Sequence, residues 1–237
     1  MPRGLVQLTD DVWIWPHDPD PAAVQACVGI VAGRDASLVV DAGHSPELAS
    51  RIRAGAAAEG LPDPRLLVYA HHHWDHVWGA CAWGVPVVAH ELSAQALRRE
   101  ARQPWSAEFL RSEMARNPLL GPSYEARGRA VRDWDALRLV VPDRVFGARL
   151  DLDVGGVAVE LDHVGGQHTA DSIVVRVPSA RVMFLGDCYY PPPYHLRAPD
   201  SRPDRAMLAG FLSRDYDWYV GSHEDPLSRS DVARMTR

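Results

Sequence analysis

Seven residues in this sequence, five histidines and two aspartates, combine the types and the spacing that bind metal ions. The densest run is Ala70-His71-His72-His73-Trp74-Asp75-His76, which follows the apolar stretch Leu66-Leu67-Val68-Tyr69. A short strand there delivers the histidines to its end or to the loop beyond, where a site can open. His71 and His73 stand two apart and can point the same way from extended chain, while Asp75 and His76 come a turn later and can form a second cluster. Imidazole nitrogen and carboxylate oxygen are ordinary ligands of zinc and similar ions. A tract of solvated surface histidines is the alternative, but the same logic recurs three more times. His168 lies in Asp162-His163-Val164-Gly165-Gly166-Gln167-His168-Thr169, where glycines allow a turn that points a histidine inward. Asp187 follows Val182-Met183-Phe184-Leu185-Gly186, and His223 follows Trp218-Tyr219-Val220-Gly221-Ser222. Packing alone does not place such residues repeatedly just past apolar strands.

The elements that must position these residues are legible from periodicity and turn signals. Residues 5–8 and 12–15 read as a hairpin, 16–21 as a proline-rich polar loop, and 28–31 and 38–40 as strands. Ser45 can cap a helix over 46–59, with Pro46 at its first position, Leu48 and Ile52 on one face, and Gly60 and Pro62 stopping it. A short helix is expected over 77–82, a strand over 85–88 leading to His90, and a helix over 91–102. Residues 105–137 hold too little apolar content for a domain and read as a partly helical insertion lying across one face. It has helix at 107–116 and loops at Asn117-Pro118 and Gly121-Pro122, with Phe109, Leu110, Met114 and Tyr124 available to line a pocket or an oligomer contact. Beyond it the pattern is almost wholly strand, at 139–141, 149–152, 157–161, 172–177, 181–185 and 218–221, with a helix over 203–212. Two series of strands, each followed by helix, predict an α/β fold of two sheets packed face to face with helices outside. Candidate ligands come from both halves, so 1–237 is read as a single domain.

Composition narrows the function. The chain has 237 residues, 46% of them hydrophobic, which is enough for a real core, and a net charge of -6, which offers no basic field for a phosphate backbone. All 25 basic residues are arginine, so no Schiff-base lysine is available. Cys27, Cys81 and Cys188 are too few and too widely spaced for a disulfide framework or a Cys-x-x-Cys site. No basic segment precedes an apolar stretch at the N-terminus, and eighteen apolar residues never run together. The expectation is a cytoplasmic protein without nucleic-acid or membrane partners, able to form a homo-oligomer; a secreted form would need a leader removed before residue 1. Residues 228–232 read as the opening of a helix, which suggests a longer protein or a disordered tail.

His71-x-His73-x-Asp75-His76, followed by His168, Asp187 and His223, resembles the complete signature of the metallo-beta-lactamase fold superfamily, in order and over nearly the whole chain. The resemblance implies a four-layer αββα sandwich and a dinuclear centre. His71, His73 and His168 would bind one ion, Asp75, His76 and His223 the other, and Asp187 would bridge them. Two divalent ions roughly 3.5 Å apart acidify a shared water and make hydroxide available near neutral pH. Zinc is the first expectation, and iron or manganese suits the same ligands. Asp75 would also orient the attacking water and relay a proton. His72 alternates away from its neighbours and is assigned a structural or supporting role, as are His44, His90 and His163. Asp41, at a strand end, could accept from the far nitrogen of a ligand histidine. In secreted beta-lactamases with a cysteine ligand, a cysteine from the third motif binds the second ion. Gly186-Asp187-Cys188 offers both residues; Asp187 fits the bridging role of glyoxalase-like and lactonase-like branches, and Cys188 reads as a buried thiol.

The superfamily hydrolyses beta-lactams, thioesters, lactones and phosphodiesters, so the resemblance says little about substrate. The chain lacks the lysine that the cysteine-ligand beta-lactamases and the glutathione thioesterase branch use. Trp74, Trp78, Tyr189, Tyr190, Tyr194 and His195 suggest an aromatic surround, with Pro191-Pro192-Pro193 holding Tyr194 and His195 over a cleft. Either side chain could donate to a developing oxyanion or protonate a leaving alkoxide; covering the site mouth or forming an interface is the simpler role. Arg197 and Arg202 could bind a carboxylate or phosphate. The expected activity is metal-dependent hydrolysis, by a metal-bridging hydroxide, of a small ester, lactone or thioester. Beta-lactam or phosphodiester hydrolysis comes next, then a mononuclear iron persulfide dioxygenase, then a non-catalytic binding protein.

Overall fold

A computed structural model describes residues 4–237. The first sheet begins with antiparallel strands β1 (Val6–Gln7), β2 (Val12–Trp15), β3 (Val28–Ala32) and β4 (Ser37–Val40). It continues in parallel with β5 (Pro64–Val68), β6 (Val87–His90) and β7 (Arg144–Phe146). Its connections carry α1 (Pro46–Ala58), α2 (Trp74–Val77), α3 (Ala80–Trp83), α4 (Glu91–Glu100), α5 (Ala107–Arg116) and α6 (Gly121–Ala130). The second sheet holds β8 (Arg149–Val154), β9 (Val157–His163), β10 (Ile173–Val177), β11 (Val182–Gly186), β12 (Trp218–Gly221) and β13 (Leu227–Ser228). Only β11 and β12 run parallel in it; α7 (Arg205–Phe211) connects them and α8 (Arg229–Met235) follows β13.

Side-chain alternation along the strands builds the layers. In the first sheet Val31, Leu38, Val40 and Val68 face Val159, Leu161, Val175 and Phe184 of the second, and all are buried. Val28, Ile30, Val39 and Leu67 point the other way, onto Leu48 and Ile52 of α1, Trp83 of α3 and Leu97 of α4. The outer face of the second sheet, with Val174, Met183 and Tyr219, is covered by Leu208 of α7 and Val232 of α8. The centre of the first sheet and strands β10 to β12 of the second are therefore buried on both faces, which gives the order helix, sheet, sheet, helix, while β8 and β9 leave Arg149, Asp151, Asp153 and Ala158 exposed on their outer face. Gly29 lets the sheets pack closely, since a Cβ there would sit 2.4 Å from the Phe184 ring.

Local chemistry explains the helix starts and three departures from expectation. The Ser45 hydroxyl accepts from the Leu48 N–H at 3.2 Å and starts α1 as the sequence predicts. The single helix expected over 77–82 is instead α2 and α3, which places Asp75 and His76 on helix. Gly79 separates them where the chain brushes the Ala42 carbonyl, 2.2 Å from any added Cβ. Residues 117–122 are not loop: Asn117 caps a 3-10 turn over Pro118–Leu120, and Pro122 sits in the first turn of α6, where its missing N–H costs nothing. The strand expected at 139–141 is displaced to β7, because Leu139 and Val140 pack on the helix-side core and the Tyr69 hydroxyl donates to the Val140 carbonyl at 3.1 Å. Leu110 is 2% exposed and unavailable to line a pocket, and residues 228–235 end in an ordered helix rather than a disordered tail, closed by a Ser228–Asp231 capping box.

Candidate metal centre

Two pairs of parallel strands bring the ligand residues to one edge. Asp41 follows β4 and the 71–76 run follows β5; Asp187 follows β11 and His223 follows β12. The sheets are stitched together there, by Ile173 N–H to the Ala70 carbonyl at 2.9 Å and Cys27 N–H to the Ser222 carbonyl at 2.7 Å. Carboxyl ends of parallel strands are where open α/β folds place ligands. His168 comes from the β9–β10 loop, whose Gly166 has φ +125° and lies so close to the Cys188 carbonyl, 2.4 Å from a built Cβ, that no other residue fits.

The seven predicted side chains converge in two adjoining groups, His71, His73 and His168 in one, Asp75, His76, Asp187 and His223 in the other. Within each group the ligand atoms all lie within 4.8 Å of one another. His73 Nδ1 is 2.9 Å from both His71 Nε2 and His168 Nε2. In the second group Asp75 Oδ2 is 3.1 Å from His223 Nε2 and 3.3 Å from His76 Nε2. Asp187 joins the groups: its Oδ2 is 3.3 Å from His168 Nε2, 4.0 Å from His71 Nε2 and 3.6 Å from His223 Nε2, while Oδ1 is 3.6 Å from His76 Nε2. Two ligands of a tetrahedral zinc sit about 3.3 Å apart, so these spacings match a cation between them. His223 is the open wall, with its side chain 30% exposed against 0% for His71 and His76.

Protons alone cannot satisfy this donor set. His168 Nδ1–H donates to the Pro191 carbonyl at 2.8 Å and His76 Nδ1–H to Asp41 Oδ2 at 2.7 Å, which turns each Nε2 toward the cluster. His76 Nε2 and Asp187 Oδ1 are buried without a hydrogen-bond partner, an arrangement that is costly unless a cation completes it. Burial, reinforced by His76 and His73, holds His71 well below the usual imidazole range, and burial presses His73 down to about 3. Both rings are neutral and present lone pairs. Burial opposes ionisation of Asp75 and Asp187, yet His76 and His223 outweigh it and keep both carboxyls well below their usual range. Burial also pulls His76 and His223 down, but Asp41, Asp75 and Asp187 hold His76 well above its ordinary value, and Asp187 and Asp75 bring His223 to about 10. These carboxylates draw positive charge to the Nε2 atoms, where a divalent ion would displace the protons. The residues fit two such ions.

The supporting residues sort themselves by contact. Asp41 accepts from His76 as expected and also from the Ala70 N–H at 2.7 Å, from a left-handed backbone at φ +64°. His72 points away from the ligands. Its Nδ1 is 3.0 Å from Asp171, which also accepts from the His72 N–H, Ser93 and Thr169. His90 and His163 stack on each other at 3.8 Å, and His44 stacks on Trp74. Cys188 is fully buried among Val174, Met183, Leu185 and Tyr219, and is not in either ligand group. Tyr189 is buried rather than lining a wall; its hydroxyl and that of Tyr190 donate to Glu224, and Tyr190 accepts from the His223 N–H at 3.3 Å. Tyr194 is 62% exposed on a 3-10 turn, Tyr194–Leu196, that packs against the Pro118–Leu120 turn, and His195 is half-buried beside it. Sequence reasoning missed Asp171, Glu224 and Arg127. Only Glu224, adjacent to His223, carried a local signal.

Residues 22–223 match the family described as the metallo-beta-lactamase superfamily. The chain belongs to this superfamily. Its two His/Asp clusters form the dinuclear metal-binding motif typical of hydrolases with this fold. Similar solved structures include a metallo-beta-lactamase from Hirschia baltica (TM-score 0.66, 18% identity, covering 100% of this chain and 97% of that one). Another is a metallo-beta-lactamase from Pontibacter korlensis (TM-score 0.64, 19% identity, 98% and 96% covered). A third, from Erythrobacter litoralis with beta-mercaptoethanol in its active site, has TM-score 0.61 and 20% identity, with 98% and 93% covered. At these identities the likeness is one of fold alone. The chain is also 25% identical over 211 residues to the 2,4-dinitroanisole O-demethylase subunit alpha of Nocardioides sp. strain JS1661, covering 85% of this chain and 53% of that protein. It thus spans about half the length of this curated relative.

Proposed function

We propose that the chain is a two-metal hydrolase of small esters, lactones or thioesters. The position of Asp187 carries the reading, with one carboxylate oxygen 3.3 Å from His168 Nε2 and 3.6 Å from His223 Nε2, so that a single residue serves both ligand groups. His71, His73 and His168 would hold one ion, Asp75, His76 and His223 the other, with Asp187 shared. Zinc is the ion that this nitrogen-rich set suits first. Bound there, the ions would supply an acidified water and an electrophile for the scissile carbonyl. Asp75, held ionised between His76 and His223, orients that water and takes its proton at the carboxylate. His195, on the loop that meets the helical segment, or the exposed Tyr194 beside it, would donate to the departing oxygen or sulfur. Asp41 keeps the His76 proton on Nδ1, and the Pro191 carbonyl does the same for His168. The aromatic residues packed around the centre suit a small, partly apolar acyl compound.

A second reading, cleavage of an aryl alkyl ether, is favoured by the O-demethylase relative and by the same aromatic surround. It shares an oxygen leaving group at the same centre. Both readings are tested by elemental analysis of protein purified without added metal or chelator, with a substrate panel. The panel holds a lactone, an aryl ester, a thioester, a cephalosporin, a phosphodiester and 2,4-dinitroanisole. Two zincs per chain with preferred turnover of an ester, lactone or thioester is the expected result. Preferred turnover of dinitroanisole selects the ether reading, and preferred turnover of the cephalosporin or phosphodiester refutes the substrate class. A single iron with no hydrolysis of any compound refutes the hydrolase.

A further inference from the structure

Beside the metal centre lies a cation that none of the chemistry above uses. Arg127, on α6, places its guanidinium carbon 4.5 Å from the Tyr124 ring centre, 5.1 Å from Trp105, 5.2 Å from Trp78 and 5.5 Å from Trp74. Trp74 is the residue between His73 and Asp75, so this aromatic box shares a wall with the ligand clusters. Trp74 and Trp78 are buried, whereas Tyr124, Trp105 and Arg127 keep accessible surface, so the box opens on the side of the helical segment. Trp105 is further backed by Phe109, edge-on at 5.2 Å.

A guanidinium held in a poorly solvated place normally meets a carboxylate, because an unpaired charge there is costly. Here, among the described residues, no ion pair with a carboxylate holds Arg127, and its Nε is enclosed without a hydrogen-bond partner. Burial lowers its pKa, and Tyr124, Glu100 and Asp75 oppose that only in part. Asp75 faces His76 and His223, while Glu100 lies 4.0 Å from His72 and keeps its Oε2 without a hydrogen-bond partner; neither carboxylate comes within ion-pair distance of Arg127. The four rings hold the cation electrostatically, and Tyr124 also hydrogen-bonds to it, but the Nε–H is left without a partner. His195 sits within its field, since burial and the Arg127 charge together depress that imidazole. A fixed, planar, under-satisfied cation between aromatic faces, next to a hydrolytic centre, is a receptor for an oxyanion on an apolar scaffold.

The geometry points to Arg127 as the residue that binds an anionic substituent of the substrate, a carboxylate or comparable oxyanion carried by an aromatic or apolar acid. It rests on the hydrolase reading for calling the ligand a substrate. The helical segment thereby supplies selectivity, and the metal clusters supply reaction. A purely structural role, pinning α6 to Trp74 and Trp78, would stabilise the fold without distinguishing charged from neutral ligands.

The test is a tryptophan-fluorescence titration of zinc-loaded protein with benzenesulfonate, a weak metal ligand, and with neutral benzyl alcohol. Wild type is expected to bind the sulfonate about tenfold tighter or more, a difference of about 1.4 kcal/mol. Arg127→Met, which fills the box with an apolar chain that packs well on aromatics, is expected to bring the two within about twofold while benzyl alcohol affinity and zinc content hold. No preference in wild type overturns the inference before any variant is made, and a preference that survives in Arg127→Met overturns it too. If Arg127→Met does not melt cooperatively, Arg127→Lys decides: loss of the planar fork is expected to weaken the sulfonate about threefold or more with benzyl alcohol unchanged, and an unchanged sulfonate affinity refutes the site. Binding is read without turnover. A protein that prefers the sulfonate yet hydrolyses nothing on the panel would fail the hydrolase reading and keep the anion site.

Discussion

Replacing Asp41 by asparagine should loosen one metal and spare the other. Asp41 uses both oxygens on buried donors, Oδ1 on the Ala70 N–H and Oδ2 on His76 Nδ1–H, each at 2.7 Å. Asparagine tolerates the left-handed backbone at φ +64°, so the change is chemical rather than conformational. Its side chain offers only one acceptor. With that oxygen on Ala70, the amide nitrogen confronts His76 Nδ1 and drives the ring proton to Nε2, the atom that faces Asp75 and Asp187. With the amide turned round, the Ala70 N–H loses its partner, at a cost of about 1–3 kcal/mol for a buried donor. Losing such a supporting carboxylate typically weakens metal binding by about 10–100-fold, or about 1.4–2.7 kcal/mol. His71, His73 and His168 do not contact Asp41 and should keep their ion. Zinc titration against a chromogenic chelator resolves the two affinities, and a thermal melt of the zinc-free protein checks the fold. Two affinities both within about twofold of wild type, in a folded variant, would refute the assignment of His76 and the orienting role of Asp41.

Other residues give equally direct outcomes. Asp75→Ala is expected to lower kcat by about 100-fold or more in fully metallated protein with the fold retained, because it removes the proton acceptor; wild-type turnover would reject that role. Cys188→Ser should leave two metals per chain, since the thiol lies in the core behind Asp187, while costing about 1–3 kcal/mol for a buried hydroxyl; a drop to one metal by elemental analysis would make Cys188 a ligand. Burial presses His44 from 6.5 to about 4. A depressed folded-state pKa means that its contribution is fully present above 6.5 and is lost as pH falls toward 4. Unfolding free energies of zinc-free wild type from urea titration should therefore fall by about 2 kcal/mol more than those of His44→Gln between pH 7 and pH 5, and parallel pH dependences would rule the effect out.

Much of the metal centre is legible in the chain because its signals are local. The spacing of His71, His73, Asp75 and His76, and the placing of His168, Asp187 and His223 after apolar strands, depend only on residues a few positions away. Period-two strands and the Ser45 cap are equally local, so the sheets, α1 and the layer order could be read directly. The assembly of those residues into two groups sharing Asp187 is tertiary, because it requires strand ends from different sheets to meet at one edge. So are the contacts that tune the site. Asp41 reaches His76 across 35 positions and Asp171 reaches His72 across 99, with no pattern linking either pair. The expected helix at 77–82 is split into two short ones where Gly79 packs against the Ala42 carbonyl, and the helix at 121–130 forms where Gly121-Pro122 reads as loop. Cys188 turns into the core because it is surrounded by apolar side chains of the second sheet, its neighbour Asp187 facing the ligands. Arg127 looks in sequence like any surface arginine of a helix. Four aromatic rings from three segments of chain box in its guanidinium, and only folding brings them together.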